Sequence, residues 1–269
     1  MKVLKRLGII GLALCLGIGV VGCSKSNEDE SKKDDTASEK TVTLNISAAA
    51  SLQEAMVELE TKFKEVEPNV KLEVNLGASG ALQQQIEEGA PCDVFISAGE
   101  KQMTALADKD LLLADTNKTL LTNDLVLVAP EGTEIKDLET LATDSIEKIA
   151  IGDPESVPAG KYAKEVLDNT KLYDKVEDKL VLAKDVKEVL SWVQQGNAQA
   201  GFVYLSDAQG ADGVQVVYTT EADTHSPINY PIAVLKASEK QDKAKAFEDF
   251  LLSDDGQVIL EKYGFKKAN

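Results

Sequence analysis

The stretch best placed to do chemistry is Ser47-Ala48-Ala49-Ala50-Ser51-Leu52. An apolar alternating run, Val42 to Ile46, leads into it, and Leu52, Met56, Leu59 and Phe63 follow at helical spacing. That is strand, tight small-residue loop, helix. Ser51 falls where a helix has backbone N–H groups without partners, at the positive end of its dipole. The small neighbours let an anion approach that backbone. A second outcome is open: Ser51 with Glu54 three residues on is also a capping box, a purely structural helix start.

Other strand-like runs end in similar chemistry. Val70–Leu76 is followed by Gly77-Ala78-Ser79-Gly80, and Lys148–Ile151 by Gly152 through Gly160, which contains Val157-Pro158-Ala159. Leu180–Ala183 is followed by Lys184-Asp185-Val186, and Ala200–Val203 by Tyr204. Several such ends in one cleft supply backbone N–H and hydroxyl donors without counter-charge, a plausible cage for a fully deprotonated tetrahedral oxyanion.

The residue inventory narrows the alternatives. Arg6 is the only arginine, so no guanidinium clamp on a carboxylate or phosphate is available in the body. His225 is the only histidine, which removes His-rich metal sites and any Ser–His–Asp triad not built on it. It lies in Thr-His-Ser-Pro and is expected at the surface or a hinge. Cys92 is the only thiol beyond the leader region and is expected to pack, not to do redox chemistry. Trp192 is expected in a core. The net charge of −17, or −20 without Lys2, Lys5 and Arg6, disfavours nucleic acid and anionic lipid as partners.

The elements that must position these loops alternate along the chain. Nine strand-like runs, the last at Val214–Tyr218 and Ile232–Lys236, are separated mostly by helix-periodic ones such as Val186, Val189, Leu190 and Val193. This predicts an α/β fold with mostly parallel sheets, whose ligands bind beyond the C-terminal strand ends. Lys240 to Phe265 reads as two helices. Residues 117–124 and 226–231 read as crossings, so the chain builds one lobe, crosses, builds a second and returns.

Ahead of this body lies a leader. Lys2, Lys5 and Arg6 precede an apolar run of 16 residues, Leu7 to Gly22, the shape of a secretory signal spanning residues 1–22. It ends Val20-Val21-Gly22-Cys23, which resembles a bacterial lipobox and implies cleavage before Cys23 and lipid attachment to its sulfur. Residues 23–40 are then an anchored linker. Its segment Ser24 to Lys40 carries ten charged residues and no apolar side chain larger than Ala37, so it is expected to be disordered. Its 17 residues span about 23 Å as a flexible coil.

Taken in order, the body's motifs resemble the substrate-binding proteins of molybdate ABC importers. The residues that carry the resemblance are Ala48-Ala49-Ala50-Ser51-Leu52, Gly89-Ala90-Pro91 with Asp93-Val94-Phe95-Ile96-Ser97-Ala98, and Leu127-Val128-Ala129-Pro130. Gly152-Asp153-Pro154, Val157-Pro158-Ala159-Gly160, Gly201-Phe202-Val203-Tyr204, Tyr230-Pro231 and Tyr263-Gly264-Phe265 continue it. The resemblance implies a type II periplasmic-binding-protein architecture of two α/β lobes, 41–122 with 232–269 and 123–231, closing on a ligand between them. It implies molybdate, with tungstate alongside, held by Ser51, Ser79, Ala159, Val186 and Tyr204. No cofactor, cationic metal or catalytic residue is implied. The implied partners are the permease of an ABC importer and, through Cys23, the membrane; a monomer outside the cytoplasm is expected. Donors without an acidic acceptor disfavour hydrogen phosphate, and sulfate, with shorter bonds, fits loosely. The competing classes are a binder of another tetrahedral oxyanion such as sulfate, an adhesion or signalling protein of the same fold, and an anchored hydrolase, for which no nucleophile–base pattern is present.

Overall fold

The alternating runs fold into two mixed sheets with helices packed on them. The computed structural model describes residues 41–268; the expected leader, Cys23 and the linker lie outside the described residues. β1 (Val42–Ala49) passes through a 3-10 turn, Ala50–Leu52, into α1 (Gln53–Val66), and β2 (Val70–Gly77) leads to α2 (Ser79–Glu87). β3 (Val94–Ile96), α3 (Glu100–Asp108) and β4 (Lys118–Thr122) follow. Then come β5 (Leu125–Pro130), β6 (Ile149–Gly152), α4 (Pro158–Asn169), α5 (Tyr173–Val176) and β7 (Leu180–Ala183). α6 (Val186–Gln194), β8 (Ala200–Tyr204), α7 (Leu205–Ala208) and β9 (Val214–Thr219) complete this part. The chain returns through β10 (Asn229–Val234), α8 (Gln241–Leu252), α9 (Asp254–Lys262) and β11 (Lys266–Lys267).

The first sheet has the order β11-β4-β10-β3-β1-β2 and the second β7-β6-β8-β5-β9. Each, with its helices, is one lobe. The expectation of mostly parallel sheets is corrected: four of the nine strand pairings are parallel, β1 with β2 and β3, and β6 with β7 and β8. The reason is the crossings. A parallel neighbour needs a crossover connection, normally a helix. β5 and β10 enter their sheets straight from the other lobe and insert antiparallel to the strands beside them.

The crossings are also narrower than expected. The stretch 117–124 contains β4, a five-residue strand too short to show a period, and only Asn123 and Asp124 separate it from β5. β10 starts at Asn229, inside the stretch read as the return crossing, because Asn229 and Tyr230 pair with Thr122 and Leu121 of β4.

The helical periods are seated as the sequence predicts. α1 buries Ala55, Met56, Leu59 and Phe63, and the Phe63 ring meets Phe247 of α8 edge-on at 5.0 Å between centroids. α6 buries Val186, Val189, Leu190 and Val193, while Trp192 is half-buried against the same core. Gly201 lets α6 lie this close to β8, since a Cβ there would fall 2.8 Å from a Val193 methyl.

Candidate functional site

Strand register brings the expected site residues together. Ala49 pairs with Gly77, so β1 and β2 end side by side and deliver Ser51 and Ser79 to one edge. In the second lobe Gly152 pairs with Ala183, so β6 and β7 deliver the starts of α4 and α6, with Ala159 and Val186. Tyr204 closes β8, opposite Leu125. Ser51, Ser79, Ala159, Val186 and Tyr204 all border one cavity between the lobes, with Ala98 and Asp185 also on its wall. The cavity has a volume of about 10 Å³, room for roughly one water. None of the five residues is more than 4% exposed.

The lobes touch around this cavity. The Gly80 N–H donates to the Ser156 carbonyl at 3.0 Å, and the Tyr204 hydroxyl donates to the Ala98 carbonyl at 3.4 Å. Lys187 meets Glu54 across the gap at 2.6 Å.

The N–H groups of Ser51, Ser79, Ala159 and Val186 stand at the first or second position of their helical segments, where no intrahelical acceptor exists. The segments starting at Ala50, Ser79 and Pro158 have no side-chain cap. Only α6 is capped, by Asp185, whose Oδ1 accepts from the Glu188 N–H at 2.8 Å. The capping-box alternative for Ser51 is thereby corrected. Ala49 takes the cap position, the Ser51 hydroxyl meets Tyr230, and the Glu54 carboxylate turns to Lys187.

Residues 44–266 match the family of bacterial extracellular solute-binding proteins. The chain belongs to that family. A putative ABC transporter substrate-binding lipoprotein of Bacillus subtilis, YvgL, is 43% identical over 97% of this chain and 98% of its own length. The molybdate-binding protein ModA of Escherichia coli is 40% identical, covering 82% of this chain and 88% of its own. Among solved structures, the substrate-binding domain of a putative molybdenum ABC transporter from Clostridium difficile is 59% identical, with a TM-score of 0.68 over 84% of this chain and 99% of that one. The two-lobed periplasmic-binding-protein fold is shared with these relatives.

In this solute-binding protein the hydroxyl protons are directed by neighbours that the sequence did not single out as site residues. Asn123 Nδ2 donates to Ser206 Oγ at 2.8 Å and to the Tyr230 hydroxyl at 3.4 Å. The Tyr230 and Ser51 hydroxyls lie 2.9 Å apart and one donates to the other; with Tyr230 as the donor, the Ser51 proton is left for the cavity. Ser79 Oγ accepts the Ala98 N–H at 3.0 Å, which frees its proton in the same way. Burial holds the Tyr204 and Tyr230 hydroxyls well above the usual tyrosine range, so both remain donors. The available signals were a tyrosine in a mostly apolar strand and an asparagine at the crossing.

One expectation is modified. Asp185 is a carboxylate on the cavity wall, although its Oδ1 is engaged as the α6 cap. The other singled-out residues lie away from the cavity. Burial raises the Cys92 thiol to about 11, and its Sγ donates to the Val94 carbonyl. The His225 ring nitrogens contact Ser226 O and Thr220 Oγ1, in the segment between β9 and β10. Among the described residues no three His, Cys, Asp or Glu side chains gather as a metal site.

Proposed function

We propose that this chain captures molybdate, with tungstate alongside, outside the cytoplasm and hands it to the permease of an ABC importer, without catalysing a reaction. Ser51, Ser79, Ala159, Val186 and Tyr204 are the ligand set: two serines giving hydroxyl and backbone N–H, two backbone N–H groups, and one phenol. The observation that carries this is the convergence of uncapped helix starts from both lobes on one cavity. The names of the relatives point the same way. The lobes, one on each sheet, part about the crossings to admit the anion and close on it, and Cys23 carries the lipid that keeps the monomer at the membrane.

The magnitudes are adequate. About seven donors, at roughly 1.5–3 kcal/mol each toward a charged group, stand against desolvation of a dianion and an association cost of about 4–15 kcal/mol. No cation is required. The long Tyr204–Ala98 contact is one an anion displaces readily.

Isothermal titration calorimetry of the purified protein with molybdate, tungstate, sulfate and phosphate tests the proposal. Tight one-to-one binding of the first two alone is expected. Preference for sulfate or phosphate would keep the fold and overturn the ligand, and binding of none would overturn the function.

A further inference from the structure

Lys187 follows Val186 at the start of α6, and its ammonium meets a carboxylate from each lobe. Nζ is 2.6 Å from Glu54 Oε2 in α1 and 2.9 Å from Asp207 Oδ1 in α7. The two partners differ. The Asp207 side chain is wholly buried and that of Glu54 is half exposed, with Lys187 at 19% between them. All three are tied to the cavity by short stretches of chain: Glu54 lies three residues after Ser51, Lys187 one after Val186, Asp207 three after Tyr204.

We infer that Lys187 is a positioning residue for ligand retention: Asp207 keeps its ammonium on the second lobe, and Glu54 of the first lobe is the partner gained on closure and lost on opening. This rests on the oxyanion function proposed above. Burial works against the ammonium, but Asp207 and Glu54 outweigh it and raise the Lys187 pKa, so the latch is charged at neutral pH. Exposed ion pairs usually contribute little because two flexible side chains must be ordered together. Here Asp207 has already ordered Lys187, and closure need order only Glu54. A contact present only in the closed form slows release and leaves capture nearly unchanged.

Glu54→Gln removes the negative charge of the cross-lobe pair and leaves the buried Lys187–Asp207 pair intact, so the variant is expected to fold. Stopped-flow mixing of the full chain with sodium molybdate, followed by intrinsic fluorescence that includes Tyr204 on the cavity wall, reads association, and displacement of bound molybdate by excess tungstate reads release. We expect dissociation about 1.5- to fivefold faster in Glu54→Gln, the range an ion pair of this kind spans, and faster still in Glu54→Lys, with association within about twofold of wild type. Raising the salt concentration should speed release from wild type toward the Glu54→Gln rate and leave that variant flat, which a merely structural role for Glu54 would not produce. Wild-type release rates in both variants would overturn the latch alone. Failure of wild type to bind molybdate would overturn the proposed function and the latch with it.

Discussion

The Ser51 hydroxyl lies 2.9 Å from the Tyr230 hydroxyl, and this contact holds it in place of the helix cap its sequence neighbourhood offers. Tyr230 is wholly buried, packs its ring at 5.6 Å from that of Tyr204, and takes a hydrogen bond from Asn123 at the crossing between the lobes. Tyr230→Phe keeps the ring and removes the hydroxyl that holds the Ser51 hydroxyl. Molybdate affinity should fall by about 1 kcal/mol, the net worth of one such bond, or roughly fivefold. Titration calorimetry of the variant checks it; an unchanged affinity would mean that Ser51 orients without Tyr230.

Ser51→Ala separates binding from stability more sharply. A direct donor to a charged ligand is lost, so affinity should fall by about 1.5–3 kcal/mol. A lost cap would cost about 1 kcal/mol of stability, but Ser51 is not a cap. What the substitution strands is the buried Tyr230 hydroxyl, at about 1–3 kcal/mol. The double variant Ser51→Ala/Tyr230→Phe should therefore recover stability in a denaturant titration and recover no affinity. Recovery of both would remove Ser51 from the ligand set.

The apolar periods of α1 and α6 and the small-residue loops after β1, β2 and β6 were legible because each follows from one local rule, period or turn chemistry. That the five expected residues border one cavity follows from the same kind of rule, since strand ends in an α/β fold bring their helix starts to one edge; their reading as a ligand set came from the resemblance. What sequence could not show was set by pairing between distant segments. Lys118–Thr122 is a strand only because β10 and β11 flank it. Ser51 with Glu54 satisfies the local capping pattern, yet Tyr230, 179 positions away, and Lys187, 133 away, outcompete it. The antiparallel insertions of β5 and β10 follow from the crossings, a property of the whole path.

Asp93 gives the protein a pH-dependent term far from the cavity. Its carboxylate accepts from Ser238 Oγ at 2.6 Å, the Asn45 N–H at 2.7 Å and Lys240 Nζ at 3.1 Å, joining β1 to the segment after β10. Burial pushes its pKa up, but these three partners outweigh burial and hold it below the ordinary aspartate value. The folded protein thus binds this proton less readily than the unfolded chain. The contribution to stability is present above the unfolded value, about 3.9, and is lost as pH falls through the lower native one. Asp93→Asn should be less stable than wild type at pH 7, with the gap closing as the pH drops below about 4. Urea titrations across that range read it; a gap independent of pH would show that Asp93 does not titrate this way.

Gly80 tests closure itself. Its N–H reaches the Ser156 carbonyl of the opposite lobe at 3.0 Å, and a Cβ on Gly80 would stand 2.5 Å from that oxygen and 2.9 Å from the Ser156 Cα. Both are backbone atoms of a segment seated by its own hydrogen bonds, the Ser156 and Val157 N–H groups both donating to the Asp153 carbonyl. The segment cannot rotate aside as a flexible side chain would. Gly80→Ala should hold the lobes apart at this edge, pulling Ser79 on α2 away from Ala159 on α4. Within its own lobe the substitution favours the helix, by about 1 kcal/mol. Stability should therefore be kept or slightly raised while molybdate affinity falls by more than tenfold, about 1.4 kcal/mol. Calorimetry and thermal melts on the one variant separate these effects, and small-angle scattering with molybdate present should show a larger radius of gyration than wild type. If affinity and radius both match wild type, the closed contact between Gly80 and Ser156 is not the one that holds the anion.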